Sequence, residues 1–120
     1  MDITEAHQRK HLKLASTIRR QLDDIVRRDL SDPRIGFVTF TAVRLTRDNR
    51  RAVVYASPLG NENQQKETIA GLKSAASYIR RALSGRLQMK YTPELEFVRD
   101  ETKSDRIEQI LKDIKNEEKT

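Results

Sequence analysis

Ile69, Leu72, Ala76, Ile79, Leu83 and Leu87 recur at steps of three and four, the spacing that lines one face of an α-helix. Such a face has to be buried, so the rest of the chain must supply a surface to cover it. The flank of the same helix is unusual in charge. Between Glu67 and Glu94 there is no acidic residue, yet Lys73, Arg80, Arg81, Arg86 and Lys90 all fall inside that gap. On a helical projection Lys73, Ser77, Arg80 and Ser84 run along one flank, with Arg81 further round. A solvated face normally mixes signs to gain i,i+4 pairs. A face that excludes carboxylates suits a polyanion, so the stripe reads either as solvated surface or as a footprint for phosphate.

The chain's size limits the cover that this helix can find. At 120 residues it holds one modest core, and with three Phe, three Tyr and no Trp that core must be aliphatic. The formal charge is +6, but residues 100–120 carry seven acids against five bases, which leaves 19 bases against 11 acids on residues 1–99. A basic domain of this kind most often meets nucleic acid. The absence of cysteine excludes disulfides and thiol chemistry and suits a reducing compartment. No apolar run approaches the roughly 18 residues of a membrane span, and the N-terminus has no signal-peptide segment, so a soluble cytoplasmic protein is expected.

In chain order, Leu14, Ala15, Ile18, Leu22, Ile25, Val26 and Leu30 mark a first helix, with residues 1–12 read as a partly ordered extension. His7 and His11 have the spacing of a ligand pair, but nothing nearby suggests a third ligand, so they read as solvated side chains rather than a metal site. The helix is expected to stop at Asp32-Pro33. Phe37–Thr46 and Arg51–Ser57 alternate as strands of an antiparallel hairpin, with a bulge near Ala42 and Val43 and a turn at Arg47-Asp48-Asn49-Arg50. Arg44, Arg47, Arg50 and Arg51 crowd the hairpin tip, either to block edge pairing or to meet phosphate. Pro58 to Asn63 reads as a loop, and the central helix is expected from near Glu67 to Ser84-Gly85, bent where Ala75, Ala76 and Ser77 place small side chains. Leu95 and Phe97 mark a third strand. Asp105 then caps a last helix bearing Ile107, Ile110, Leu111 and Ile114, followed by a loose tail.

The order predicts an α+β domain with helices on one face of a small sheet. Four motifs carry a more specific resemblance: Arg28-Asp29-Leu30-Ser31-Asp32-Pro33-Arg34-Ile35-Gly36, Leu45-Thr46-Arg47-Asp48 running into Ala52-Val53-Val54-Tyr55, Ala75-Ala76-Ser77-Tyr78-Ile79-Arg80, and Tyr91-Thr92-Pro93-Glu94-Leu95-Glu96-Phe97. In this order the chain resembles the bacterial ribosome-binding factor A family over residues 13 to 99. The resemblance implies a KH-like type II domain (α-β-β-α-kink-α-β) at residues 13–99, with residues 100–120 adding a C-terminal helix and tail. It also implies that the protein binds the maturing 30S subunit and 16S rRNA, near the 5′ terminal helix and the decoding region, and supports 16S rRNA processing. In that family an Ala-x-Gly kink replaces the G-x-x-G loop of other KH domains. Here the glycine position is Ser77, which puts the sharpness of the kink in question.

The expected mechanism is binding, with no catalytic residue, no metal, no cofactor and no small-molecule substrate. The contacts expected with RNA are Lys73, Ser77, Arg80, Arg81, Arg86, Lys90, Arg44, Arg47, Arg50 and Arg51. A monomer is expected. Two alternatives remain at this point: a general KH-like RNA-binding protein, and a protein-interaction module that docks an acidic partner through the same arginines.

Overall fold

The structure is a computed structural model and describes residues 3–101. The expected helix from Asp105 and the tail lie outside the described residues. Helix α1 (Ile3–Asp29) is continuous through 27 residues. Its period places Ile18, Leu22 and Ile25 in the core with no solvent exposure. It ends three residues before the expected stop, for a local reason. Pro33 lacks the amide hydrogen that would bond to the Asp29 carbonyl. The chain turns instead, with the Ile35 amide donating to Asp32 O at 3.0 Å and the Arg34 amide to Asp32 Oδ1 at 2.9 Å.

Strands β1 (Val38–Leu45) and β2 (Arg51–Pro58) form the antiparallel hairpin. At its tip Asn49 takes φ 60°, which asparagine tolerates. The Thr46 hydroxyl and Arg50 amide both donate to Asp48 Oδ1, and this locks the turn. The pairing shifts between Phe40 and Ala42, so the extra residue is Thr41, just before the expected bulge at Ala42 and Val43. The shift turns Val43 and Leu45 back to the side of Val38 and Phe40, where they pack on the core. The Thr41 hydroxyl donates to Asp100 Oδ2 at 2.6 Å.

After β2 the helix begins five residues earlier than the loop composition suggested. Helix α2 spans Glu62–Ser74. Asn61 Oδ1 accepts from the Gln64 amide at 2.8 Å, and Gln64 Oε1 accepts from the Asn61 amide at 2.9 Å, a reciprocal capping box. Helix α3 (Ala76–Arg86) follows after Ala75 alone. It runs through Gly85, one residue past the expected end.

Ala75 sits at φ −89° and ψ 2°, in the bridge region. Its amide still donates to Gly71 O and its carbonyl still accepts from the Ile79 amide. The break is therefore confined to the backbone of Ala75, with no left-handed residue, and Ser77 lies inside α3. Glycine at that position is not required for the break between the two helices.

Strand β3 (Glu94–Arg99) lies parallel to β2, in the order β1-β2-β3. A parallel return needs a crossover, and the α2–α3 pair provides it. Alternate β2 residues Ala52, Val54 and Ala56 are fully buried beneath the helices, and Phe40 and Phe97 pack with ring centroids 6.0 Å apart. Leu72, Ile79 and Leu83 complete this single core from the crossover, as the spacing of three and four required.

Candidate nucleic-acid interface

The flank of α3 that faces away from the core does not stand alone. From Leu87 the chain leaves the helix in an extended conformation, φ −104° and ψ 136°, and folds back beside α3 before entering β3. Between the helix and this returning segment lies an open cleft of about 420 Å³, lined by Ser77, Arg80, Arg81, Ser84, Met89, Lys90, Tyr91 and Thr92. Three of these side chains are cationic and none is a carboxylate. Two hydroxyls on the helix side add neutral donors, so the lining suits a phosphate oxygen more than any cation.

Arg80 is partly buried and its guanidinium holds the returning segment: Nε and Nη2 donate to Thr92 O at 3.1 and 2.8 Å. Its Cζ is also 5.3 Å from the centre of the Tyr91 ring, within cation–π reach. Arg50 reaches the same ring from the hairpin, at 5.8 Å. The main chain sets that approach, because the Glu94 amide donates to Arg50 O at 2.8 Å. Tyr91 thus joins two groups of cations that are 30 residues apart in sequence, and the residue remains 47% exposed.

The expected contacts are not all brought together. Ser77, Arg80, Arg81 and Lys90 line the cleft, and Arg50 reaches its edge through Tyr91. Lys73 is exposed on the last turn of α2, outside the lining. Arg44 lies on the outer face of the sheet with its Cζ 5.7 Å from the Tyr55 ring, and Arg51 pairs with Glu96 at 3.4 Å on the same face. Arg86 is turned to the other side of α3. There its Nη1 donates to Asp24 Oδ2 at 2.5 Å and to Gln21 Oε1, and its Nη2 lies 3.6 Å from Asp29, so it fastens α3 to α1. The hydrogen bond from Arg86 lowers the pKa of the Asp24 carboxyl below the ordinary carboxylate value.

Arg47 borders a larger hollow of about 650 Å³ between the hairpin and the start of α1, with Thr4, His7, Gln8, His11 and Leu12. Size does not favour it as the site, since among the described residues Arg47 is the only Lys or Arg in its lining. His11, expected to be solvated, is partly buried with Nε2 3.0 Å from Leu45 O.

Sequence reasoning passed over Tyr91 as a site residue. The available signal was an aromatic ring directly after a lysine in an acid-free segment.

Comparison with known proteins decides the family. The family model described as ribosome-binding factor A matches residues 10–111. This chain belongs to that family. A relative from Halothermothrix orenii, named ribosome-binding factor A, is 38% identical over 110 residues, which is 90% of each chain. The crystal structure of ribosome-binding factor A from Thermus thermophilus superposes with a TM-score of 0.67 at 29% identity, covering 74% of this chain and 93% of that one. A homology model of the Thermus thermophilus factor fitted into the cryo-EM map of a 30S–RbfA complex gives a TM-score of 0.64 at 28% identity, covering 76% and 96%. The expected KH-like α+β fold is the fold of these relatives, and this member reaches it with serine at position 77.

Proposed function

We propose that this protein is a non-enzymatic assembly factor that binds the maturing 30S subunit in the cytoplasm and supports 16S rRNA processing, with the α3 cleft holding rRNA phosphates. The observation that carries the site assignment is the lining itself: Arg80, Arg81 and Lys90 converge with Ser77 and Ser84, with no carboxylate among the described residues that line it. The fitted 30S complex of the Thermus thermophilus relative supports the choice of partner. Arg81 and Lys90 make the phosphate contacts, Arg50 and Arg47 extend the positive surface along the hairpin, and Lys73 extends it toward α2. Among the described residues no helix is long and apolar enough to cross a membrane, in keeping with a ribosome-bound role.

The test is sedimentation of cell lysate on a sucrose gradient, with the wild type compared with the double variant Arg81→Glu and Lys90→Glu. Co-migration with free 30S particles, lost in the variant and weakened by salt, is expected. Wild-type protein that stays at the top of the gradient at every salt concentration removes the ribosomal reading. Co-migration that survives both substitutions removes the cleft.

A further inference from the structure

We propose that the cleft takes one unpaired nucleotide, with its phosphate between Arg81 and Lys90 and its base stacked on Tyr91; the proposal rests on the reading of this cleft as the rRNA contact. The lining offers two unlike surfaces to a ligand. The helix side presents Ser77, Arg81 and Ser84, which are suited to an anion, and the returning segment presents the ring of Tyr91 and the thioether of Met89. A phosphodiester alone would leave the second surface unused, and an apolar ligand would leave the cations unmatched. A nucleotide supplies an anion and a flat π-face within one unit.

The ring is prepared for this role. Tyr91 is 47% exposed although two guanidinium groups lie against it. Arg80 is anchored through Thr92 O, so the wall that carries Tyr91 is held before any ligand arrives. Arg50 belongs to the exposed hairpin tip and lies 5.8 Å from the ring centre, so a base that stacks there would displace its guanidinium toward a neighbouring phosphate. A base inside a duplex is stacked on both faces already and cannot reach the ring, so this geometry selects an unpaired residue. It needs no particular base, because each base has a π-face.

The experiment titrates the full-length protein with a fluorescein-labelled 12-nucleotide single-stranded RNA, and with the same sequence annealed to its complement, at several salt concentrations. Wild type is expected to bind the single strand more tightly. Tyr91→Phe should bind as wild type, and Tyr91→Ala about ten-fold more weakly with an unchanged salt slope, because stacking releases no counterions. Lys90→Ala should flatten the slope by about 0.7. As a second readout independent of truncation at Tyr91, intrinsic tyrosine emission should be quenched by unlabelled RNA in wild type and much less in Tyr91→Phe. Equal binding of duplex and single strand, wild-type affinity in Tyr91→Ala, or equal quenching in Tyr91→Phe each overturns the stacked base while leaving the phosphate cleft in place. Wild-type affinity in both Arg81→Ala and Lys90→Ala overturns the cleft and the stacked base together.

Discussion

Arg80 and Thr92 are joined by two hydrogen bonds from one guanidinium to one carbonyl oxygen, at 3.1 and 2.8 Å. The pair ties the two sides of the cleft together, since Arg80 projects from the middle of α3 and Thr92 lies two residues before β3. A residue whose charge marks it as a phosphate ligand therefore also builds the wall that the ligand meets.

Arg80→Ala should destabilise the fold by about 1–2 kcal/mol, because it leaves the partly buried Thr92 carbonyl without its charged donors. Arg80→Lys should recover only part of that loss, as an ammonium cannot reproduce the planar fork. Urea midpoints of the three proteins check this ordering.

Arg81 and Arg86 stand five residues apart on α3 and should respond in opposite ways. Arg81→Ala removes a cation that lines the cleft, so it should weaken RNA binding and flatten its salt dependence with little change in melting temperature. Arg86→Ala breaks the fastening to Asp24 and Asp29. It should lower the melting temperature and leave the salt slope intact. A slope that falls equally in both variants would place Arg86 in the interface.

Ser77→Gly introduces the glycine that the family resemblance implies at the kink, and should nonetheless cost about 0.5 kcal/mol. The break is made by Ala75 at negative φ, and Ser77 is a helical residue whose replacement by glycine only adds backbone freedom to the unfolded chain. A gain in stability on thermal unfolding would show that the kink is strained.

Gly71→Ala should destabilise by about 1–3 kcal/mol. A Cβ at Gly71 would lie 2.6 Å from Ile35 Cγ1, where α2 crosses the segment before β1. The contact falls one bond beyond the isoleucine Cβ, where relief needs a change of a stiff, β-branched χ1 or a shift of the backbone. Ile35→Ala in the same chain should recover part of the loss, measurable as a double-mutant cycle.

The ion pair between Asp24 and Arg86 has a defined pH signature. Because the folded-state pKa of Asp24 is lowered, its stabilisation is fully present above the ordinary carboxylate value and is lost as pH falls through the lowered one. Asp24→Asn should therefore be less stable than wild type near neutral pH, and the two should converge in acid. Asp32, Asp48 and Glu62 are lowered as well, by Arg34, by Thr46 and by Arg99 respectively. Some acid sensitivity should thus remain in the variant, and urea midpoints across the acid range separate the two parts.

The elements were legible in the sequence because their causes are local. Apolar spacing marked α1 and the buried face of α2 and α3, alternation marked the strands, and Asp48-Asn49 marked the turn. The misplaced boundaries were also local, since Asn61 and Gln64 form a capping box inside a stretch that composition alone assigned to a loop. The bulge was expected from a phase change in the alternation and fell at Thr41, where a hydroxyl could find the Asp100 carboxylate 59 residues away.

The sequence by itself determined which residues are cationic and that no acid interrupts them between Glu67 and Glu94. Only the tertiary structure decided what each of those cations meets within the molecule. Arg86 is taken up by Asp24, 62 residues earlier, and Arg80 by a carbonyl beyond the helix, while Arg81 and Lys90 line an open cleft with Tyr91. The reason is that helical periodicity fixes the direction in which a side chain leaves its own axis. The groups that it meets there come from distant parts of the chain, and packing alone brings them within a hydrogen bond's length.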